Sequence, residues 1–233
     1  LFDTFLFFLA SLILVSLPKT KRNDYKNRSI WVELFNGWYF IVKEPLVRMI
    51  VGMDILESIA NTAWLSAIVL VFVREAMNVS DSWWGYINAT YFAGALIGSF
   101  CVIRFSLKFE KNEASAVIIG SIWGGLATIA VILVKNNLFI LFLSVSIGIF
   151  SQIKNIPQAS LLQQRIPSER LMPIYAASGI LNSGAFALAA LFMGQIADIF
   201  DVKIVFVCSG ILLIIVGMLA IRNQELISNE EPC

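Results

Sequence analysis

Asp54, Glu57 and Asn61 sit inside an otherwise apolar run, residues 48–73, at the offsets of three and four that put side chains on one stripe of a helix, with Ser58 beside them. Carboxylates surrounded by hydrocarbon are expensive, so they line water-filled paths or take a partner. Such a carboxyl can exchange a proton near neutral pH, which suits Glu57 first, and Asp54 after it, to proton coupling or to holding a cationic ligand. Lys154 is the one basic residue inside a later apolar run, residues 138–158, at a depth close to that of Asp54. A lysine there can snorkel to the membrane surface; its sharper use is a gating ion pair with Asp54. Other chemistries lack their residues. The chain has no histidine, which removes histidine acid–base work and the Ser-His-Asp triad. Cys101, Cys208 and Cys233 share no paired spacing, so neither a disulfide framework nor a metal site is expected, and no cofactor is implied.

The elements that position these groups follow from composition. Of the 233 residues 58% are hydrophobic and 14% charged, with a mean hydropathy of +0.81, too apolar for a soluble domain of this size. Apolar runs long enough to cross a bilayer fall at residues 2–17, 48–73, 85–105, 114–134, 138–158, 171–196 and 202–221. The first is short, and no basic segment precedes it as in a signal peptide, so it reads as the end of a helix whose start is missing. The net charge of +1 matters less than its distribution. Loops after the first, third, fifth and seventh runs carry Lys19, Lys21, Arg22, Lys26, Arg28, Lys43, Arg48, Arg104, Lys108, Lys111, Arg165, Arg170 and Arg222, against Arg74, Lys135 and Lys203 opposite. The basic side is expected to be cytoplasmic, with the C-terminus. Basic residues in short loops, without stacking aromatics, make nucleic acid an unsuitable partner. Between the first two runs, Ser29 can cap a helix in which Ile30, Leu34, Trp38 and Ile41 recur at helical spacing. It is expected either to lie in the membrane interface or to pack on the inner ends of the bundle.

Further polar residues mark candidate cavity walls. Gln152, Asn155 and Gln158 extend the face of Lys154, and Pro157 is placed to kink or end that helix. Ser178 and Asn182, four apart, lie near mid-span, and Asn88 and Tyr91, three apart, can present polar tips to the same cavity. Gly179 and Gly184 read as helix-packing positions. The runs at 114–134 and 202–221 carry few polar side chains and are expected to face lipid.

Six runs after the first divide into two sets of three that must run in opposite directions, because three is odd and the loops are short. The stretch Asp54-Ile-Leu-Glu-Ser-Ile-Ala-Asn-Thr-Ala-Trp, then Trp84-Gly85-Tyr86 and Gly94-Ala-Leu-Ile-Gly98-Ser99, resembles helices seven and eight of major facilitator superfamily transporters. Ile166-Pro167-Ser168-Glu169-Arg170, then Gly179, Gly184 and Gly194-Gln-Ile-Ala-Asp198, resembles their tenth loop and eleventh helix. The nearest likeness is to bacterial drug, macrolide or siderophore exporters. Arg104-Phe-Ser-Leu-Lys-Phe-Glu-Lys departs from the family's loop signature by lacking its aspartate.

The resemblance implies an all-α, polytopic membrane bundle: the 3+3 inverted repeat of one major facilitator half behind a truncated helix. Residues 1–17 would end helix six, 18–47 form a cytoplasmic linker with its interfacial helix, 48–222 form the six-helix C-terminal half, and 223–233 form a cytoplasmic tail. It further implies a secondary transporter of a bacterial plasma membrane, a proton-coupled multidrug-type antiporter exporting small amphipathic molecules by alternating access, and not an enzyme. Its implied partners are lipid, protons, a small-molecule substrate and an absent N-terminal six-helix half. Uptake, transport without proton coupling and a non-transporting structural subunit are the alternatives. A retinal-type heptahelical protein would need a buried lysine in the last run, which offers Lys203 only at its edge.

Overall fold

A computed structural model describes residues 8, 9, 11, 30–110, 112–134 and 136–228. Most of the first apolar run, Ser29, Cys233 and the basic residues Lys19, Lys21, Arg22, Lys26, Arg28, Lys111 and Lys135 lie outside them. The chain divides into two units, Leu1–Glu33 and Leu34–Cys233. In the first, Phe8, Leu9 and Ser11 are helical, as is the opening turn of helix α1, Ile30–Lys43. The second holds the rest, and among the described residues every regular element in it is helical.

Glu44 is extended and Pro45 stands at the first helical position, where its missing N–H costs nothing, so α1 ends and α2, Pro45–Ala60, begins. The expected single helix over 48–73 is instead broken. Asn61–Trp64 tightens into a 3-10 turn, Leu65 is extended, α3 spans Ser66–Val71, and Phe72–Ala76 forms a π-turn. No proline marks the break. Thr62 Oγ1 donates to the Ile59 carbonyl at 2.7 Å, the local competition by which threonine weakens a helix, and the Trp64 ring meets Phe206 edge-on at 5.4 Å.

The remaining elements are α4, Ser82–Arg104; α5, Ser106–Glu110; α6, Glu113–Leu133; α7, Asn137–Arg165; α8, Ser168–Ile199; α9, Val202–Arg222; and α10, Gln224–Ser228. Among the described residues, six segments are long and apolar enough to cross a membrane: Pro45–Ala76, Ser82–Arg104, Glu113–Leu133, Asn137–Arg165, Ser168–Ile199 and Val202–Arg222. Pro157 does not end its helix; α7 runs on to Arg165.

α4 packs on α7 and α8 on α2; α6 packs on α7 and α9 on α2; α6 and α9 pack on each other. These pairings map onto themselves when the first triplet of spans exchanges with the second, as an inverted repeat requires. Glycine lets α4 and α7 meet at their backbones: a Cβ at Gly94 would run into the Val145 carbonyl, and one at Gly148 into that of Tyr91. Gly179 and Gly184, expected to pack helices, instead face open space within this chain.

Two cores stabilise the bundle. At the end carrying Arg48, Arg165, Arg170 and Arg222, Leu46, Val47, Ile50, Leu161, Ile174 and Val216 are buried, and Trp38, Phe40 and Ile41 of α1 pack onto them. α10 folds back there to bury Ile227, whose carbonyl accepts from Arg165 Nη2 at 3.2 Å. At the opposite end Phe72, Val73, Ile140, Val205 and Phe206 form the second core. A loop with Asn78 in the left-handed region (φ 53°) is clipped there by Arg74, which donates to both Asp81 carboxylate oxygens at 2.8 and 2.7 Å. Those bonds hold the exposed Asp81 carboxyl below the usual carboxylate range.

Candidate functional site

α2 and α7 run in opposite directions, and the site is a ladder between them. Gln158 Nε2 donates to Asp54 Oδ1 at 2.6 Å. One turn deeper, Lys154 Nζ forms an ion pair with Glu57 Oε2, with the Lys154 side chain 3% and the Glu57 side chain 17% exposed. Three residues forward along α2 match four residues back along α7, as antiparallel helices require. Where an Asp54–Lys154 pair is expected, this structure pairs Lys154 with Glu57 and hydrogen-bonds Asp54 to Gln158. Nor does Lys154 snorkel. Its stem is held against Gly120 of α6, where an added Cβ would come within 2.7 Å of Lys154 Cβ.

With both carboxyls ionised, two negative charges face one ammonium. One unit of negative charge is left uncompensated where the effective dielectric is far below that of water, and charges at such distances interact by several kcal/mol. A proton or a bound cation would neutralise it.

Beside the ladder lies a cavity of about 330 Å³. Glu57, Asn61 and Trp64 line it from α2 and the broken turn; Asn88, Tyr91 and Phe92 from α4; Ser151, Lys154 and Asn155 from α7. The Tyr91 hydroxyl and Ser151 Oγ stand 3.5 Å apart, and the Asn88 amide donates to the Trp84 carbonyl at 2.8 Å. Polar tips and aromatic rings thus share one chamber, the usual make-up of a small-molecule pocket.

Of the expected wall residues, the structure brings Glu57, Asn61, Asn88, Tyr91 and Asn155 to the cavity. Asp54, one turn along α2 from Glu57, is not part of the lining. Ser58 and Gln152 lie about 100° round their helices from the lining residues Glu57 and Ser151 and miss it. Ser178 and Asn182 do not line it either, because α8 contributes nothing to this chamber; Ser178 Oγ donates to its own helix at Tyr175, 3.2 Å away.

α6, expected to face lipid, does expose Ile119, Leu126 and Leu133, and its other face enters the site. Gly120, Ser121, Gly124 and Thr128 line the cavity, and Leu213 of α9 joins them. Positions 120, 124 and 128 are a small-residue stripe at helical spacing, a signal present in the sequence. Gln158 and Ser151 were likewise readable as neighbours of Lys154 on one face. Trp64 was not, since its place depends on the helix break.

The chain resembles two relatives over most of its length. It is 32% identical over 200 residues to the uncharacterized MFS-type transporter YjbB of Bacillus subtilis (strain 168), covering 86% of this chain and 48% of that protein. It is 29% identical over 195 residues to the uncharacterized MFS-type transporter YfmI of the same organism, covering 84% of this chain and 47% of the relative. The chain thus spans about half the length of the curated relatives it matches. No family model matches the chain, and no solved structure does.

Proposed function

Because the chain belongs to the major facilitator superfamily, we propose that it forms the C-terminal half of a secondary active transporter that couples proton movement to the export of small amphipathic molecules. The observation that carries this reading is the ladder of Asp54, Glu57, Lys154 and Gln158 beside a cavity. A site one charge short of neutrality takes up a proton readily, and Glu57, which lines the cavity, can exchange it with water there. The chamber suits amphipathic cargo: Asn61, Asn88 and Asn155 can hydrogen-bond a polar head, while Trp64, Tyr91 and Phe92 offer rings to an apolar body.

Alternating access rocks two halves about a shared site. Phe92, Leu96 and Phe100 of α4, with Leu188, Leu191 and Phe192 of α8, are exposed large apolar residues, and Gly179 and Gly184 leave α8 open to close approach. Both features support a second six-helix half as partner. The distribution of Arg48, Arg104, Arg165, Arg170 and Arg222 supports a cytoplasmic placement of that end and of the C-terminus, in a bacterial plasma membrane. The test is flux of ethidium, an amphipathic probe, in lipid vesicles holding the complete polypeptide under an imposed proton gradient. Wild type should transport and collapse when the gradient is discharged; flux indifferent to the gradient would refute proton coupling.

A further inference from the structure

Four side chains form the ladder, and they are not equivalent. Glu57 lines the cavity, whereas Asp54, one turn nearer the Arg48 end, does not. Lys154 is 2% exposed, and its stem is fixed at the root by Gly120, so only the distal part of its flexible four-carbon chain can move. Asp54 lies one turn from Glu57 on the same face, about 5–6 Å away, within the reach of such a swing and near enough for its charge to attract the ammonium. What occupies Asp54 now is a neutral amide, Gln158, whose own Oε1 is buried without a hydrogen-bond partner among the described residues. The unmet Oε1 offsets part of what the short bond to the carboxylate contributes, and a neutral donor in that seat can be replaced by a cation.

We propose that Lys154 is a two-position counter-ion: it holds Glu57 while that residue is ionised and moves one turn to Asp54, displacing Gln158, when Glu57 takes a proton. The inference rests on the proton-coupled reading of this site and assigns the roles within it. The proton arrives through the cavity and bonds to a Glu57 carboxylate oxygen. The Glu57–Lys154 ion pair breaks, the Gln158–Asp54 hydrogen bond breaks, and an Asp54–Lys154 ion pair forms. The set carries one excess negative charge before protonation and is neutral after it. The neutral Glu57 remains beside Asn61 and Asn155, which can hydrogen-bond a protonated carboxyl. Asp54 is the resident anion and Gln158 a positioning residue that keeps the second seat from Lys154 until the proton arrives.

Other charged groups on the surrounding elements stand at helix ends: Arg48 on α2, Arg104 on α4, Glu113 on α6 and Arg165 on α7. The same holds for Glu169, Arg170 and Asp198 on α8, and for Lys203 and Arg222 on α9. Tyr91 is the other titratable side chain lining the cavity.

The test is infrared difference spectroscopy of the complete polypeptide in lipid vesicles as pH is lowered. One protonated-carboxyl band should grow in, vanish in Glu57→Gln and persist in Asp54→Asn. A band that vanishes in Asp54→Asn and persists in Glu57→Gln overturns the proposal. The pH midpoint of that band supplies a second readout. Gln158→Leu frees the second seat, so the midpoint should rise by about one pH unit, a tenfold change in proton affinity. Asp54→Asn removes the second seat and should lower it. A merely structural Gln158 would leave the midpoint in place, and midpoints that stay put or move together also overturn the proposal. Should ethidium flux prove independent of the proton gradient while the band and the opposed midpoints behave as stated, the transport reading fails and the switch stands.

Discussion

Lys154→Met replaces the ammonium by an apolar group of similar length and leaves Glu57 facing no counter-ion, the Lys154 side chain being 3% exposed and that of Glu57 17%. Removing one partner of a buried pair costs about 3–5 kcal/mol if the remaining charge stays. Glu57 has another course, which is to keep a proton. Starting from an ordinary glutamate pKa of about 4.3, holding that proton costs about 3.7 kcal/mol at pH 7 and about 1 kcal/mol at pH 5. The variant's folded state then carries a proton that its unfolded chain has released, so its stability falls as pH rises, by about 2.7 kcal/mol between these values. Thermal unfolding in detergent micelles at pH 5 and pH 7, set against wild type, measures the difference. The double variant Glu57→Gln/Lys154→Met leaves no charge unpaired at this rung and should recover most of the loss at pH 7. An equal deficit at both pH values, or a double variant no better than the single one, would refute the reasoning.

Arg74→Ala supplies a contrast, because Asp81 is held below the usual carboxylate range by Arg74. That clip contributes above the ordinary carboxylate range and is lost only as pH falls through Asp81's lowered value, so the effect of Arg74→Ala on unfolding should be the same at pH 5 and pH 7. Gly120→Val crowds the stem of Lys154 and should cost about 1–3 kcal/mol by overpacking, read as a lower unfolding temperature. Gly94→Ala should destabilise similarly by prising α4 from α7, whereas Gly179→Ala, with nothing within 4 Å of the added Cβ, should change this half's stability by no more than about 0.5 kcal/mol; the same unfolding measurement separates them.

The spans were legible because a bilayer imposes one strong rule, an apolar run of sufficient length, and residues 85–105, 114–134 and 202–221 match their helices to within three residues at either end. Breaks were not legible. The turn at Asn61–Trp64 arises from a threonine bonding its own backbone and a tryptophan packed on Phe206, contacts that hydropathy does not register, and Pro157 is absorbed within α7. At the site, the stripe carrying Asp54 and Glu57 and the face carrying Lys154 and Gln158 were both readable as helical spacing. Their register was not, since depth estimated from run boundaries is uncertain by about a turn, and one turn decides whether Lys154 meets Asp54 or Glu57. The role of α6 was missed because polarity was taken as the mark of a cavity wall, while Gly120 and Gly124 contribute by leaving room.

In the proposed function Glu57 carries the proton that drives transport. The most direct test of that role compares wild type with Glu57→Gln, the complete polypeptide reconstituted in lipid vesicles, for both downhill ethidium flux and gradient-driven accumulation. Glu57→Gln should keep downhill flux and lose accumulation against a concentration gradient. Accumulation undiminished in Glu57→Gln would contradict the account.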